Sequence, residues 1–220
     1  MRENKLYHYL RKFPVKVLLL FALFVISIYV FGFIVGEVLL EREDKVDSVV
    51  SHFITNNMVS DNLTIIMKVI TFFGSTNFLL VANTSLFLWY FLFKKNRPRA
   101  WDIAVIGISS LLVTHSLKEL FKRVRPSGSL IAPLYNYSFP SGHASSGFIF
   151  YGLLAYLVWK SNIPFRYKYI VSGSLIFFSL LVGFSRIYLR MHYTSDVVAG
   201  FCVGFAWLTF SLWLLNKFHA

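Results

Sequence analysis

The sequence predicts an all-α, polytopic membrane protein forming a single domain over residues 1–220, and three observations carry that prediction. Hydrophobic residues make up 56% of the chain. They gather into six runs, each long enough to cross a hydrocarbon core of about 30 Å. Lys and Arg cluster in alternate connections between those runs, as they do where retained loops hold positive charge on one side of a bilayer.

The first run, Val15 to Leu40, follows a basic N-terminus. It exceeds the 7–15 residues of a signal-peptide core, and no small-residue cleavage site follows it, so it is expected to stay as an anchor. The connection from Glu41 to Asp61, EREDKVDSVVSHFITNNMVSD, is acidic and predicts a short amphipathic helix lying on the membrane surface. Leu63 to Phe93 is read as the second span, Trp101 to Phe121 as the third and Ser141 to Lys160 as the fourth. Tyr169 to Leu189 and Asp196 to Asn216 are the fifth and sixth. The lone Cys202 excludes an intrachain disulfide. No solenoid repeat, low-complexity tract or second soluble domain is present.

The net charge of +12 reports topology here, and no nucleic-acid partner is predicted. Arg2, Lys5, Arg11, Lys12 and Lys16 precede the first span, and Lys94, Lys95, Arg97 and Arg99 join the second to the third. Lys160, Arg166 and Lys168 join the fourth to the fifth, and Lys217 follows the sixth. One side, the cytoplasm, therefore takes both termini. The opposite side takes the acidic connection and the loops around Arg125 and His192. Those two loops are basic although they lie outside, a local breach that suggests a site requiring positive charge.

Three motifs fall at that boundary. In KELFKRVRP, Lys118, Lys122 and Arg125 are spaced to share one helical face, and Pro126 predicts that the helix ends at Arg125. In FPSGH, Ser141 is an N-cap candidate, Gly142 lets another group approach the backbone, and the helix start with its free N–H groups attracts an anion. In SRIYLRMHYTSD, Arg186 ends the fifth span, and His192 and Asp196 are four apart, within reach on one helical turn. Each motif alone also fits an ordinary interfacial helix end. Accidents would scatter them over both faces, whereas the charge-derived topology brings all three to one.

Lys118 with Arg125-Pro126, then Pro140-Ser141-Gly142-His143, then Ser185-Arg186 with His192 and Asp196, together resemble the three signature motifs of the type-2 phosphatidic acid phosphatase superfamily. The six-span pattern is similar to that of its membrane-embedded lipid phosphatases. The resemblance implies a phosphohistidine mechanism on lipid phosphates or diphosphates within the bilayer: phosphatidylglycerol phosphate, undecaprenyl diphosphate or phosphatidic acid. It covers Lys118 to Asp196, and the first two spans match only in hydrophobicity; they are expected to shape the lipid entrance.

On that reading Lys118, Arg125 and Arg186 neutralise the phosphoryl group, and N–H groups at Ser141, Gly142 and His143 act as fixed donors. His192 attacks phosphorus while Asp196 fixes its tautomer, and His143 protonates the leaving oxygen and then activates water. No metal or other cofactor is predicted, because cations occupy the places where a two-metal phosphatase holds carboxylates and histidines; activity should survive EDTA. His115, Thr114 and Asn83 are read as interhelical hydrogen-bonding groups, Ser145 and Ser146 as small packing residues or else part of the pocket lining, and Tyr188 and Tyr193 as an aromatic belt or else a border of the substrate site. Rival readings are an intramembrane serine protease, which lacks a G-x-S-x-G elbow, a vanadium-dependent halide oxidase, and a non-catalytic lipid-phosphate binder or transporter. No oligomeric state is read from the sequence.

Overall fold

The computed structural model describes residues 15–40, 45–132 and 136–218. Arg2, Lys5, Arg11, Lys12 and the start of the acidic connection, residues 41–44, lie outside the described residues. Within them all regular secondary structure is helical, with no strand: α1 (Val15–Ile34), α2 (Lys45–Asn57), α3 (Asp61–Phe72), α4 (Thr76–Leu88), α5 (Arg97–Phe121), α6 (Gly142–Lys160), α7 (Phe165–Tyr188) and α8 (Thr194–Phe218). Both α1 and α4 continue into a π-helical turn, Val35–Leu40 and Trp89–Phe93.

The chain is a multi-pass membrane protein. Among the described residues five helices are long and apolar enough to cross a bilayer: Val17–Val38, Thr76–Phe93, α5, α7 and α8. The expected fourth span corresponds to α6, which falls outside that set and sits at the centre instead, packed on α4, α5, α7 and α8. Its N-terminal half is built from small and polar residues, GHASSG, because it faces other helices more than lipid. The two glycines of α8 that meet it have no room for a side chain. A Cβ on Gly200 would lie 2.7 Å from the Ser141 carbonyl oxygen, and one on Gly204 2.9 Å from that of Ser145.

One sequence expectation needs correction. Leu63 to Phe93 is not a single helix: α3 ends at Phe72, and α4 begins at Thr76 with the Ser75 hydroxyl accepting the Phe78 N–H at 3.3 Å. The break redirects the chain from one neighbour to others, since α3 packs on α7 while α4 packs on α5 and α6. It also presses Gly74 against the bundle, where a Cβ would come within 2.3 Å of Val182 Cγ1 and 3.2 Å of His143 Cδ2. Hydropathy alone does not register such a break, because the flanking residues Phe72, Phe73 and Phe78 are as apolar as a span; the three rings pack on one another there.

The predicted short helix after the first span is α2. It packs on α7 and α8, and buries Asp47 and Ile54.

Candidate active site

Helix α5 ends one turn earlier than Pro126 suggests. Lys122 adopts a left-handed conformation (φ 48°) and its N–H closes on the Lys118 carbonyl at 3.0 Å. Lys122 is therefore exposed and does not share a face with Lys118 and Arg125. The unwound segment instead directs Arg123 and Arg125 inward along different paths.

Lys118, Arg125, Gly142, His143, Arg186 and His192 line one cavity of about 450 Å³. The motifs thus converge although they start on four separate helices and loops. The cavity is completed by Ser75, Thr76 and Asn77 from the start of α4, by Thr114 and His115 of α5, and by Asn136. Gly142 leaves the space that a side chain would fill against Thr114 Cγ2 (3.6 Å) and Lys118 Cε (3.9 Å).

His192 is 3% exposed and Asp196 is fully buried. Arg125 Nη1 lies 3.2 Å from His192 Nε2, and a guanidinium only donates, so Nε2 is the acceptor and carries the lone pair. The ring proton then sits on Nδ1, 3.3 Å from Asp196 Oδ2, which also accepts the Tyr193 N–H at 3.0 Å. The His192 imidazole is held well below the ordinary histidine range, first by burial and then by the repulsion of Arg186, Arg125 and Lys118. It is a neutral nitrogen base facing three cations.

Those cations are held by protein oxygens. Lys118 Nζ donates to the Tyr137 carbonyl at 2.6 Å and that of Ser138 at 3.2 Å. Arg125 donates to the Met191 carbonyl (2.6 Å), the Asn136 carbonyl (2.8 Å) and Asn136 Oδ1 (2.6 Å). Burial lowers its pKa and Asp196 opposes the shift; a guanidinium nonetheless remains charged at neutral pH. Arg186 is 2% exposed, and its Nη1 donates to Thr71 Oγ1 at 2.9 Å while its Nε is buried without a partner. An orphaned charged donor on a cavity wall is costly unless an anion completes it.

Ser141 stands at the N-cap position, but its hydroxyl makes no capping bond and is buried without a partner. Its N–H is engaged too, donating to the Asp196 carbonyl at 2.9 Å. The main-chain donors expected at the start of α6 thus reduce to those of Gly142 and His143.

Sequence reasoning missed Arg123. Its Nη1 donates to Asp196 Oδ1 at 2.6 Å, its Nη2 to Asp47 Oδ2 at 2.9 Å, and its guanidinium lies 4.0 Å over the Tyr193 ring. Tyr188, expected in an aromatic belt, is fully buried, and its hydroxyl accepts the Ser60 N–H at 3.1 Å and bonds Thr64 Oγ1. Thr114 does bridge helices, through Ser145 Oγ at 2.8 Å.

A second, apolar cavity of about 190 Å³ lies between α4 and α5. It is lined by Leu80, Phe87, Trp101 and Ile108 among others, and shares Leu79, Leu111 and Ser146 with the polar one. The two adjoin, polar at the end of the bundle that carries the three motifs and apolar below.

Residues 99–220 match the model of the PAP2 superfamily. Phosphatidylglycerophosphatase B of Bacillus subtilis is 34% identical over 144 residues, which cover 63% of this chain and 68% of that protein. The dolichyldiphosphatase of Saccharomyces cerevisiae is 40% identical over 118 residues, 48% of each chain. An undecaprenyl-diphosphatase of Bacillus subtilis is 29% identical over 147 residues, 62% of this chain and 71% of that one. The crystal structure of a transmembrane PAP2-type phosphatidylglycerolphosphate phosphatase from Bacillus subtilis superposes with a TM-score of 0.73 at 25% identity, covering 91% of this chain and 95% of the other.

Proposed function

The chain belongs to the PAP2 superfamily and is a phosphatase, a hydrolase of phosphate-ester bonds, and from that premise we propose that it removes the terminal phosphate of a membrane lipid through a phosphohistidine at His192. The observation that carries this reading is the pair of contacts on that ring: Arg125 fixes the bare Nε2 at 3.2 Å, and Asp196 holds the opposite nitrogen. A terminal phosphate entering among Lys118, Arg125 and Arg186 meets that lone pair.

In the first step Nε2 of His192 forms a P–N bond as the P–O bond to the lipid breaks, and His143 gives its proton to the departing oxygen. Asp196 stabilises the positive ring that results. In the second step neutral His143 takes a proton from water, the water oxygen bonds to phosphorus, and the P–N bond breaks to restore His192. The cations and the N–H groups of Gly142 and His143 stabilise the charge on the transferring group throughout.

The adjoining apolar cavity supports a substrate with a hydrocarbon tail, with its phosphate above and its chain between α4 and α5. Phosphatidylglycerol phosphate and undecaprenyl diphosphate both have that form, as does phosphatidic acid; the names of the relatives favour the first two. The proposed setting is the cell membrane, with six traverses including α6, both termini in the cytoplasm and the cavity opening on the outer side.

The test is release of inorganic phosphate by purified protein in EDTA from each of the three lipids in turn. Turnover of at least one is expected, with acid-labile phosphate trapped on the protein. No release from any of them by folded protein, or a phosphoprotein persisting in His192→Ala, overturns the proposal.

A further inference from the structure

Asp47, Arg123 and Ser195 line neither cavity, yet they form a closed, partly buried network on the proposed catalytic aspartate. Asp47, in the first turn of α2, is 3% exposed. Its Oδ1 accepts the Ser195 N–H at 2.8 Å, and its Oδ2 accepts both the Ser195 hydroxyl and Arg123 Nη2. Arg123 Nη1 in turn donates to Ser195 Oγ at 2.8 Å and to Asp196 Oδ1 at 2.6 Å. One cation is thus shared by two carboxylates, one of which faces His192.

The charge count decides what this does. Arg123 and Asp196 alone sum to zero, so the field of Asp196 at the imidazole would be largely cancelled by the guanidinium bonded to it. With Asp47 the three groups sum to −1. His192 faces Lys118, Arg125, Arg186 and His143, and Asp196 is the acid bonded to it. A net negative charge behind Asp196 therefore matters when the ring turns positive on phosphorylation. The network also fixes direction: Oδ1 is tied to Arg123, which leaves Oδ2 for the ring nitrogen.

We propose that Asp47 is a positioning residue for phosphoryl transfer, which through Arg123 and Ser195 holds Asp196 oriented and effectively anionic toward His192. It comes from α2, before the residues that match the family model begin at 99. A helix from the N-terminal half of the chain thereby completes the site. The inference rests on the phosphohistidine reading, and its test separates the two.

The experiment compares wild type with Asp47→Asn, Asp47→Glu and Ser195→Ala as full-length protein in detergent. It uses whichever of phosphatidylglycerol phosphate and undecaprenyl diphosphate the wild type hydrolyses, counts turnover per folded molecule, and adds a nitrogen-NMR titration of His192. Asp47→Asn should lower kcat by about tenfold or more with KM little changed, the scale typical of an outer partner of a functional ligand. Its acidic limb of kcat/KM and its His192 titration should both move to lower pH, because the imidazolium has lost net negative charge. Asp47→Glu should recover part of both effects, and Ser195→Ala, which keeps the ion pairs, should reduce kcat less.

Unchanged kcat and titration in Asp47→Asn overturn the proposal. If that variant does not fold, wild-type kcat and titration in both Asp47→Glu and Ser195→Ala overturn it equally. A wild type that releases no phosphate sinks the phosphohistidine reading instead, and the His192 titration then decides the Asp47 coupling alone.

Discussion

In the proposed mechanism His192 acts as nucleophile through what touches its two nitrogens, and its burial sets the pH range in which it would work. Protonation removes the Nε2 lone pair, so kcat/KM falls as pH drops through the lowered His192 value. The acidic limb is therefore expected below the ordinary value of 6.5. An acidic limb above that value in a pH–rate profile would contradict the assignment of His192 as the neutral base. His192→Ala should reduce phosphate release by about a thousandfold or more. Arg123→Met should be worse for stability than Asp47→Asn, because it leaves two buried carboxylates facing each other; breaking a buried pair costs about 3–5 kcal/mol. Thermal unfolding in detergent would register the difference. Lys118, Arg125, His143, Arg186, His192 and Asp196 were legible in the sequence because each sits at an apolar boundary where charge is costly. Arg123 was not, since KRVRP offers three cations, Lys122, Arg123 and Arg125, and only the left-handed turn at Lys122 tells which ones point inward.

At the level of elements, the break between α3 and α4 has the most direct bearing on the site. It seats Gly74 where a methyl group would strike Val182 or displace the His143 ring. Gly74→Ala should cost about 1–3 kcal/mol by overpacking, and kcat should fall with it if His143, the proposed proton donor, is moved. A variant with normal unfolding temperature and normal kcat would show that the contact is slack. Gly200→Val tests the other close approach, since its Cβ would meet the Ser141 carbonyl and Ala144; α8 must then retreat and draw Asp196 away from His192. Loss of both stability and activity is expected. Hydropathy gave the positions of α1, α5, α7 and α8 to within a few residues, because each faces lipid along much of its length. It misjudged Leu63–Phe93, because side chains that fill a bend between helices are as apolar as those that face a bilayer.

For the molecule as a whole, the basic ends at Lys94, Lys95, Arg97, Arg99, Lys160, Arg166, Lys168 and Lys217 predict one cytoplasmic face. A cysteine placed at Lys160 should label only from the cytoplasmic side and one at Ser127 only from the outside. Labelling of both from the same side would rule out a traverse by α6. The sequence predicts six spans, and among the described residues five helices are long and apolar enough to cross a bilayer; α6 differs because much of its surface is buried by its partners. Arg186 finds Thr71 at 115 residues' remove, and Ser195 finds Asp47 at 148. Two early segments therefore wait, during synthesis, for partners made near the end. Until α7 and α8 enter the membrane, Asp47 lacks its Ser195 donors and the cavity lacks Arg186 and His192. The enzyme is silent as a nascent chain, and a chain truncated before Thr194 will be inert and poorly retained, a substrate for quality control rather than a slower phosphatase.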